Sequence, residues 1–216
     1  MGRLVAEAPV QQIQIAMAYK FRLPHLLPIM IVATVVNVGV VIGYKIYTEG
    51  NLEPLPTLGT VKPFSLVSQT GAPFGLSDLA GKIWVADFMF TSCAGPCPLM
   101  GRRFAGLQRH FGGQPNFQLI SFSVDPDTDT PEVLAAYASA LGADPLRWRF
   151  LTGEYEQIHA VAAESFHLGS TANALHHSTY FTLVDGEGAI RGYFDSTDPH
   201  ALEDLTAQAR QLLNLP

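Results

Sequence analysis

Cysteine is nearly absent from this 216-residue chain, which has only Cys93 and Cys97. Two residues exclude a disulfide-rich scaffold and a zinc site built from cysteine alone. Charge is scarce as well, at 15% Asp, Glu, Lys and Arg, against roughly 25% in ordinary soluble domains. An acidic disordered chain is therefore excluded. Positive charge is thinnest in the main body: residues 45–216 carry ten Lys and Arg against eighteen Asp and Glu. Phosphate binding needs a basic face, so no nucleic-acid partner is expected. Internal repeats and low-complexity tracts are also lacking.

What the chain does have is one long apolar run. Between Leu23 and Tyr44 the only titratable side chain is His25. Twenty-two residues of helix rise about 33 Å, enough for the roughly 30 Å hydrocarbon core of a bilayer. Pro24 and Pro28 fall in its first turns, where a missing N–H costs least. A core helix would show a polar face, and this one is apolar all round. Lys45-Ile-Tyr-Thr-Glu-Gly50 offers no small-x-small cleavage signal, so the expectation is a retained anchor rather than a cleaved signal peptide. Lys20 and Arg22 precede the run closely, and only Lys45 follows it before Glu49. The positive-inside rule then puts residues 1–22 in the cytoplasm. It expects a single pass of the inner membrane at 23–44 and an extracytoplasmic, periplasmic main body.

Residues 45–60, with Gly50, Pro54 and Pro56, read as an extended tether, leaving 61–216 as one domain. Strands are expected at Phe64–Ser68, Ile83–Phe90, Phe117–Val124, Arg147–Leu151, Thr179–Val184 and Ala189–Tyr193. Helices are expected at Pro98–Phe111, Thr130–Leu141, Tyr155–Phe166 and Asp198–Leu213. The third of these strands leads to a helix whose start is marked by Asp129 or Thr130 as cap, with Pro131 in the first turn. Asp185-Gly186-Glu187-Gly188 between the last two strands signals a hairpin. Strand–helix–strand–helix followed by a hairpin and a final helix is an α/β sheet of thioredoxin-like order.

Thr91-Ser92-Cys93-Ala94-Gly95-Pro96-Cys97-Pro98 is the densest piece of chemistry. Pro96 and Pro98 fit only before or within the first turn of a helix. Cys97 therefore starts that helix, with Cys93 in the loop before it. The helix terminus favours a thiolate, so Cys97 is expected to be the more acidic thiol. Two converging thiols can close a disulfide or hold a soft ion such as Cu(I). A peroxidase loop would carry Pro-x3-Thr-x2-Cys, which is not present. Asp125, Asp127 and Asp129 lack the glycine and terminal glutamate of a calcium loop, so a strand end and helix cap are expected there, with Asp125 near the cysteine loop. Met89 and Met100 flank the motif as packing residues.

Three patterns in register resemble one family. They are Phe90-Thr91-x-Cys93-x3-Cys97-Pro98, then Ser123-x-Asp125-Pro126-x2-Asp129-Thr130-Pro131, then His177-Ser178 before a strand ending Asp185-x-x-Gly188. Together, over about Val61–Leu213, they resemble the Sco (SenC) proteins. The resemblance implies a thioredoxin-like domain behind a membrane anchor, binding copper through Cys93, Cys97 and His177. Its oxidation state stays open between Cu(I) and Cu(II). The implied partner is cytochrome c oxidase subunit II, whose dinuclear copper site it would load. A second copper chaperone or a thiol reductant would be a further partner. Two positions depart from the family pattern. Ala94-Gly95-Pro96 replaces a segment that usually carries an aspartate, and His176 stands where an aspartate often precedes the histidine. The alternative function is a membrane-tethered thiol–disulfide oxidoreductase with Cys93 and Cys97 as its redox pair.

Overall fold

The computed structural model describes residues 23–50, 53–168 and 178–215. The chain divides into two compact units, residues 1–53 and 54–216.

Among the described residues of the first unit, the helix α1 (Leu23–Gly50) carries Pro28 inside it. Leu27–Tyr44 has a mean hydropathy of 2.1 with none of it buried in the chain. By length and composition this segment can cross a bilayer. The helix continues past Tyr44 to Gly50, because Lys45–Glu49 contains neither proline nor glycine to stop it.

The second unit is one eight-stranded mixed sheet with helices on both faces. Its strands are β1 (Gly59–Thr60), β2 (Ser65–Ser68), β3 (Pro73–Gly75), β4 (Ile83–Met89), β5 (Phe117–Ser123), β6 (Trp148–Thr152), β7 (Tyr180–Val184) and β8 (Ala189–Asp195). They lie in the order β1-β8-β7-β4-β5-β6-β2-β3. β4, β5 and β6 run parallel, and β7 and β8 return antiparallel beside β4. All seven residues of β4 and of β5 are buried, as near-continuous apolar runs require when both faces are covered.

Alternation in β4 builds two cores. Ile83, Val85 and Met89 face helices α2 (Cys97–His110), α3 (Pro131–Ala140) and α5 (Pro199–Leu212), packing with Phe104, Leu134 and Leu205. Trp84, Ala86 and Phe88 face the other way, onto Ile158, Ala162 and Phe166 from α4 (Tyr155–Ala160) and the turn after it. Each predicted strand and helix has its counterpart within one or two residues, except that Tyr155–Phe166 is not one α-helix. After Ala160 the chain widens into a π turn, Val161–Ser165, which keeps Val161, Ala162 and Ser165 turned inward. The hairpin at Asp185–Gly188 turns through Gly188 at φ +81°, a conformation glycine adopts without penalty.

The short strands β1 and β3 have no sequence counterpart. β1 exists because the open edge of β8 needs a partner. Leu58 N–H donates to Ile190 O at 2.8 Å and Val61 N–H to Gly188 O at 2.9 Å. Arg191 Nη1 adds bonds to Leu55 O and Thr57 Oγ1, both 2.9 Å. The second half of the expected tether is thus fastened to the domain.

Candidate functional site

β4 ends at Met89, and the chain leaves the centre of the sheet through Phe90–Pro96 before entering α2. Pro96 is the N-cap with φ −74°, and Cys97 is the first helical residue. The prolines place the helix start as the sequence reading expects. Cys97 is buried and Cys93 half-exposed, and both are free thiols. The Cys93 thiol lies close enough to raise the Cys97 thiol, and the Phe90 N–H acts on Cys97 in the opposite sense. A Cβ built on Gly95 would sit 3.8 Å from Cys93 Sγ, so the glycine leaves that sulfur uncovered. Met89 and Met100 are 3% and 1% exposed and belong to the core under the loop. They pack, as expected.

The acidity expected of Cys97 is reversed. Burial pushes its thiol up to about 12, and the hydrogen bond with Cys93 adds to the rise. The Phe90 N–H works the other way but is outweighed, as are the helix amides. A thiolate confined to an apolar layer loses more hydration than a few amide dipoles return.

Asp87 lies beneath the loop on the same side of β4 as Val85 and Met89, opposite Ser121 of β5. It is 2% exposed, and its Oδ1 has no hydrogen-bond partner among the described residues. Burial raises its carboxyl from 3.8 to about 7, partly offset by the Ser121 hydroxyl. That hydroxyl also accepts a 2.9 Å bond from Trp148 Nε1. From α3, Tyr137 faces the same region; burial pushes its hydroxyl up to about 12, reinforced by Cys97 and Asp87.

Asp125 does not reach the cysteine loop through any hydrogen bond. Asp129 does. It is fully buried and accepts from Thr91 N at 3.0 Å, Thr91 Oγ1 at 2.5 Å and Ser123 Oγ at 2.6 Å. Sequence reasoning left Asp129 and Thr130 as rival helix caps. The structure gives the cap to Thr130, whose Oγ1 accepts from Val133 N. The signal was available, because Pro131 at the first helical position fixes the cap one residue before it.

His177, expected as the third ligand, and His176 lie outside the described residues. Among the described residues no group of three or more His, Cys, Asp or Glu forms a metal-ligand cluster. Thr182 of β7 pairs with Ala86 of β4 in antiparallel register. The chain therefore enters β7 at the end of the sheet from which the cysteine loop departs.

Such an arrangement defines a thioredoxin-like protein with two thiols at the helix that follows its central strand. The model of the SCO1/SenC family matches residues 54–214, and the chain belongs to that family. A SCO1/SenC family lipoprotein from Bacillus anthracis is 35% identical in sequence; its crystal structure superposes with a TM-score of 0.64, covering 72% of this chain and 95% of that one. BsSco, described with a disulfide switch and as a member of the Sco family of cytochrome c oxidase assembly proteins, is 28% identical with a TM-score of 0.66, covering 76% and 100%. The "Putative copper-binding protein" of Stutzerimonas stutzeri is 28% identical over 177 residues, 77% of this chain and 83% of that one.

Proposed function

We propose that this chain is a membrane-anchored copper carrier which loads the dinuclear copper site of cytochrome c oxidase subunit II. The observation that carries the reading is the pair of free thiols close together at the start of α2, one buried and one half-exposed. Thiolates are soft donors that prefer Cu(I), and the half-exposed sulfur gives the ion a way in and out. Cys93 and Cys97 are the metal-binding residues in this reading, with His177, just ahead of β7, as the third. Relatives support the cargo and the client: one is named for copper binding, another for cytochrome c oxidase assembly. The charge asymmetry around α1 supports a cytoplasmic N-terminus and an extracytoplasmic domain.

Anaerobic titration of the reduced chain with Cu(I) tests the reading. One ion should bind, with two sulfur scatterers and one nitrogen in its X-ray absorption spectrum. His177→Ala should weaken binding strongly and His176→Ala little. Tight binding that survives in the Cys93→Ser, Cys97→Ser double variant would overturn the proposal.

The proximity of the two free thiols also favours a second reading, a thiol–disulfide oxidoreductase acting on the client's cysteines. Cys93 and Cys97 would give two electrons and two protons to a client disulfide and be left joined to each other. A cell lacking the gene separates the two. Added copper restores the oxidase if delivery is the missing step, and added thiol reductant restores it if reduction is.

A further inference from the structure

A fully buried side chain beside the cysteine loop bonds to the loop without a hydrogen bond to either sulfur. Asp129 leaves the capping of α3 to Thr130 and turns inward. Its two oxygens collect three donors: the amide and hydroxyl of Thr91, and the hydroxyl of Ser123 at the end of β5. Thr91 is the second residue of the loop, two before Cys93. Phe90 and Cys93, on either side of it, also pack against the core. Cys93 N–H reaches Phe90 O at a long 3.3 Å, and no side chain at Gly95 packs over it. On the neighbouring strand, Val124 N–H donates to Met89 O at 2.9 Å, and Asp129 N–H to Asp125 O at 2.8 Å. The platform that holds Asp129 is therefore itself tied to the end of β4.

We propose that Asp129 is a positioning residue of the thiol pair. By holding Thr91 it fixes the Cys93 end of the loop against the Cys97 end, which α2 already fixes. The inference rests on the copper-carrier reading for its ligand but not for its geometry, since any reaction that needs the two sulfurs together draws on the same brace. Without the brace, ordering the loop falls to the event that joins the sulfurs, at a cost of roughly tenfold in equilibrium constant for each backbone residue set free. Asparagine at this position can keep most of the brace. Its oxygen accepts from Thr91 N–H and Ser123, and its amide donates to the Thr91 hydroxyl, which turns to accept.

The test uses the full-length chain in detergent micelles and two readouts. One is Cu(I) affinity by competition with a chromophoric chelator. The other is the equilibrium of the Cys93–Cys97 disulfide with glutathione, in which oxidised glutathione takes two electrons and two protons from the pair. The variants are Asp129→Ala, Asp129→Asn, Thr91→Val and, as a stability control, Leu134→Ala, a buried residue of α3. Asp129→Ala should weaken both equilibria about tenfold or more, Thr91→Val should weaken both less, and Asp129→Asn should stay within about threefold of wild type. Leu134→Ala should lower the melting temperature and leave both equilibria within twofold. If Asp129→Ala does not fold, Thr91→Val carries the test alone, and an unchanged value there overturns the proposal. Asp129→Ala values within twofold of wild type, or no further from it than those of Leu134→Ala, also overturn it. If the wild-type chain fails to bind Cu(I), the carrier reading falls and the glutathione equilibrium still decides the role of Asp129.

Discussion

At the scale of single residues, the two thiols are unequal for a reason that helix geometry alone does not provide. Cys97 sits on the helix terminus but inside the core, and burial holds its proton; Cys93 is half-exposed beside an uncovered Gly95. Alkylation at pH 8 should modify Cys93 in the Cys97→Ser variant at least tenfold faster than Cys97 in the Cys93→Ser variant. Equal rates would mean that Cys97 is not held in the apolar layer. Asp87 gives a second test. Its folded-state value of about 7 lies above the ordinary 3.8, so between those pH values the folded chain holds a proton that the unfolded chain has released. Stability therefore falls as pH rises from about 4 to about 7 and levels off above. Asp87→Asn should remove that slope in the reduced, copper-free protein and be more stable at pH 8, by up to about 4 kcal/mol. An unchanged pH profile of urea midpoints would count against the burial of a titrating carboxyl there. Neither inequality was legible in the sequence. The motif Pro96-Cys97-Pro98 fixes where the helix begins, but how deep its first residue sits depends on α3 and α5, which pack against it from far along the chain.

At the scale of elements, the long apolar runs and the proline and glycine punctuation were enough to place the central strands, the helices and the β7–β8 hairpin. What escaped was edge structure and the π turn after Ala160. β1 is two residues long and carries no hydrophobic pattern; it is a strand only because β8 offers unpaired backbone groups. Its hold depends on Arg191, which spans two elements at once. Arg191 Nη2 meets Asp185 Oδ2 at 2.6 Å and Nε meets the same oxygen at 2.7 Å, while Nη1 serves Leu55 and Thr57. Asp185 is 6% exposed and also accepts from Glu187 N and Ala189 N in the hairpin turn. Arg191→Met should therefore cost about 2–4 kcal/mol, since it strands a buried carboxylate, and should expose Leu55–Thr60 to limited proteolysis. Arg191→Lys should rescue little, because a single ammonium cannot reproduce a planar fork that serves Asp185 and the segment at 55–57 together. Full rescue by lysine would reduce the interaction to a simple charge pair.

At the scale of the whole molecule, the chain couples a bilayer-length apolar helix to a separately compact domain that carries the two thiols between β4 and α2. A carrier of a single ion gains from such an arrangement. In the proposed role copper passes when carrier and client meet, so the rate of delivery would follow how often they do, and tying both to one membrane would raise their effective concentration. Removal of residues 1–53, with a cleavable export leader in their place, should leave the thiol pair and its copper affinity unchanged, because both cysteines and Asp129 belong to the second unit. In cells at limiting copper, the freed domain should restore cytochrome c oxidase activity several-fold less well than the anchored chain at equal abundance. Raising either its abundance or the copper supply should close the gap, since each replaces proximity with concentration. Equal rescue at low copper and matched abundance would show that α1 acts in export alone. Rescue by neither form, with copper binding intact in both, would move the client away from the oxidase altogether.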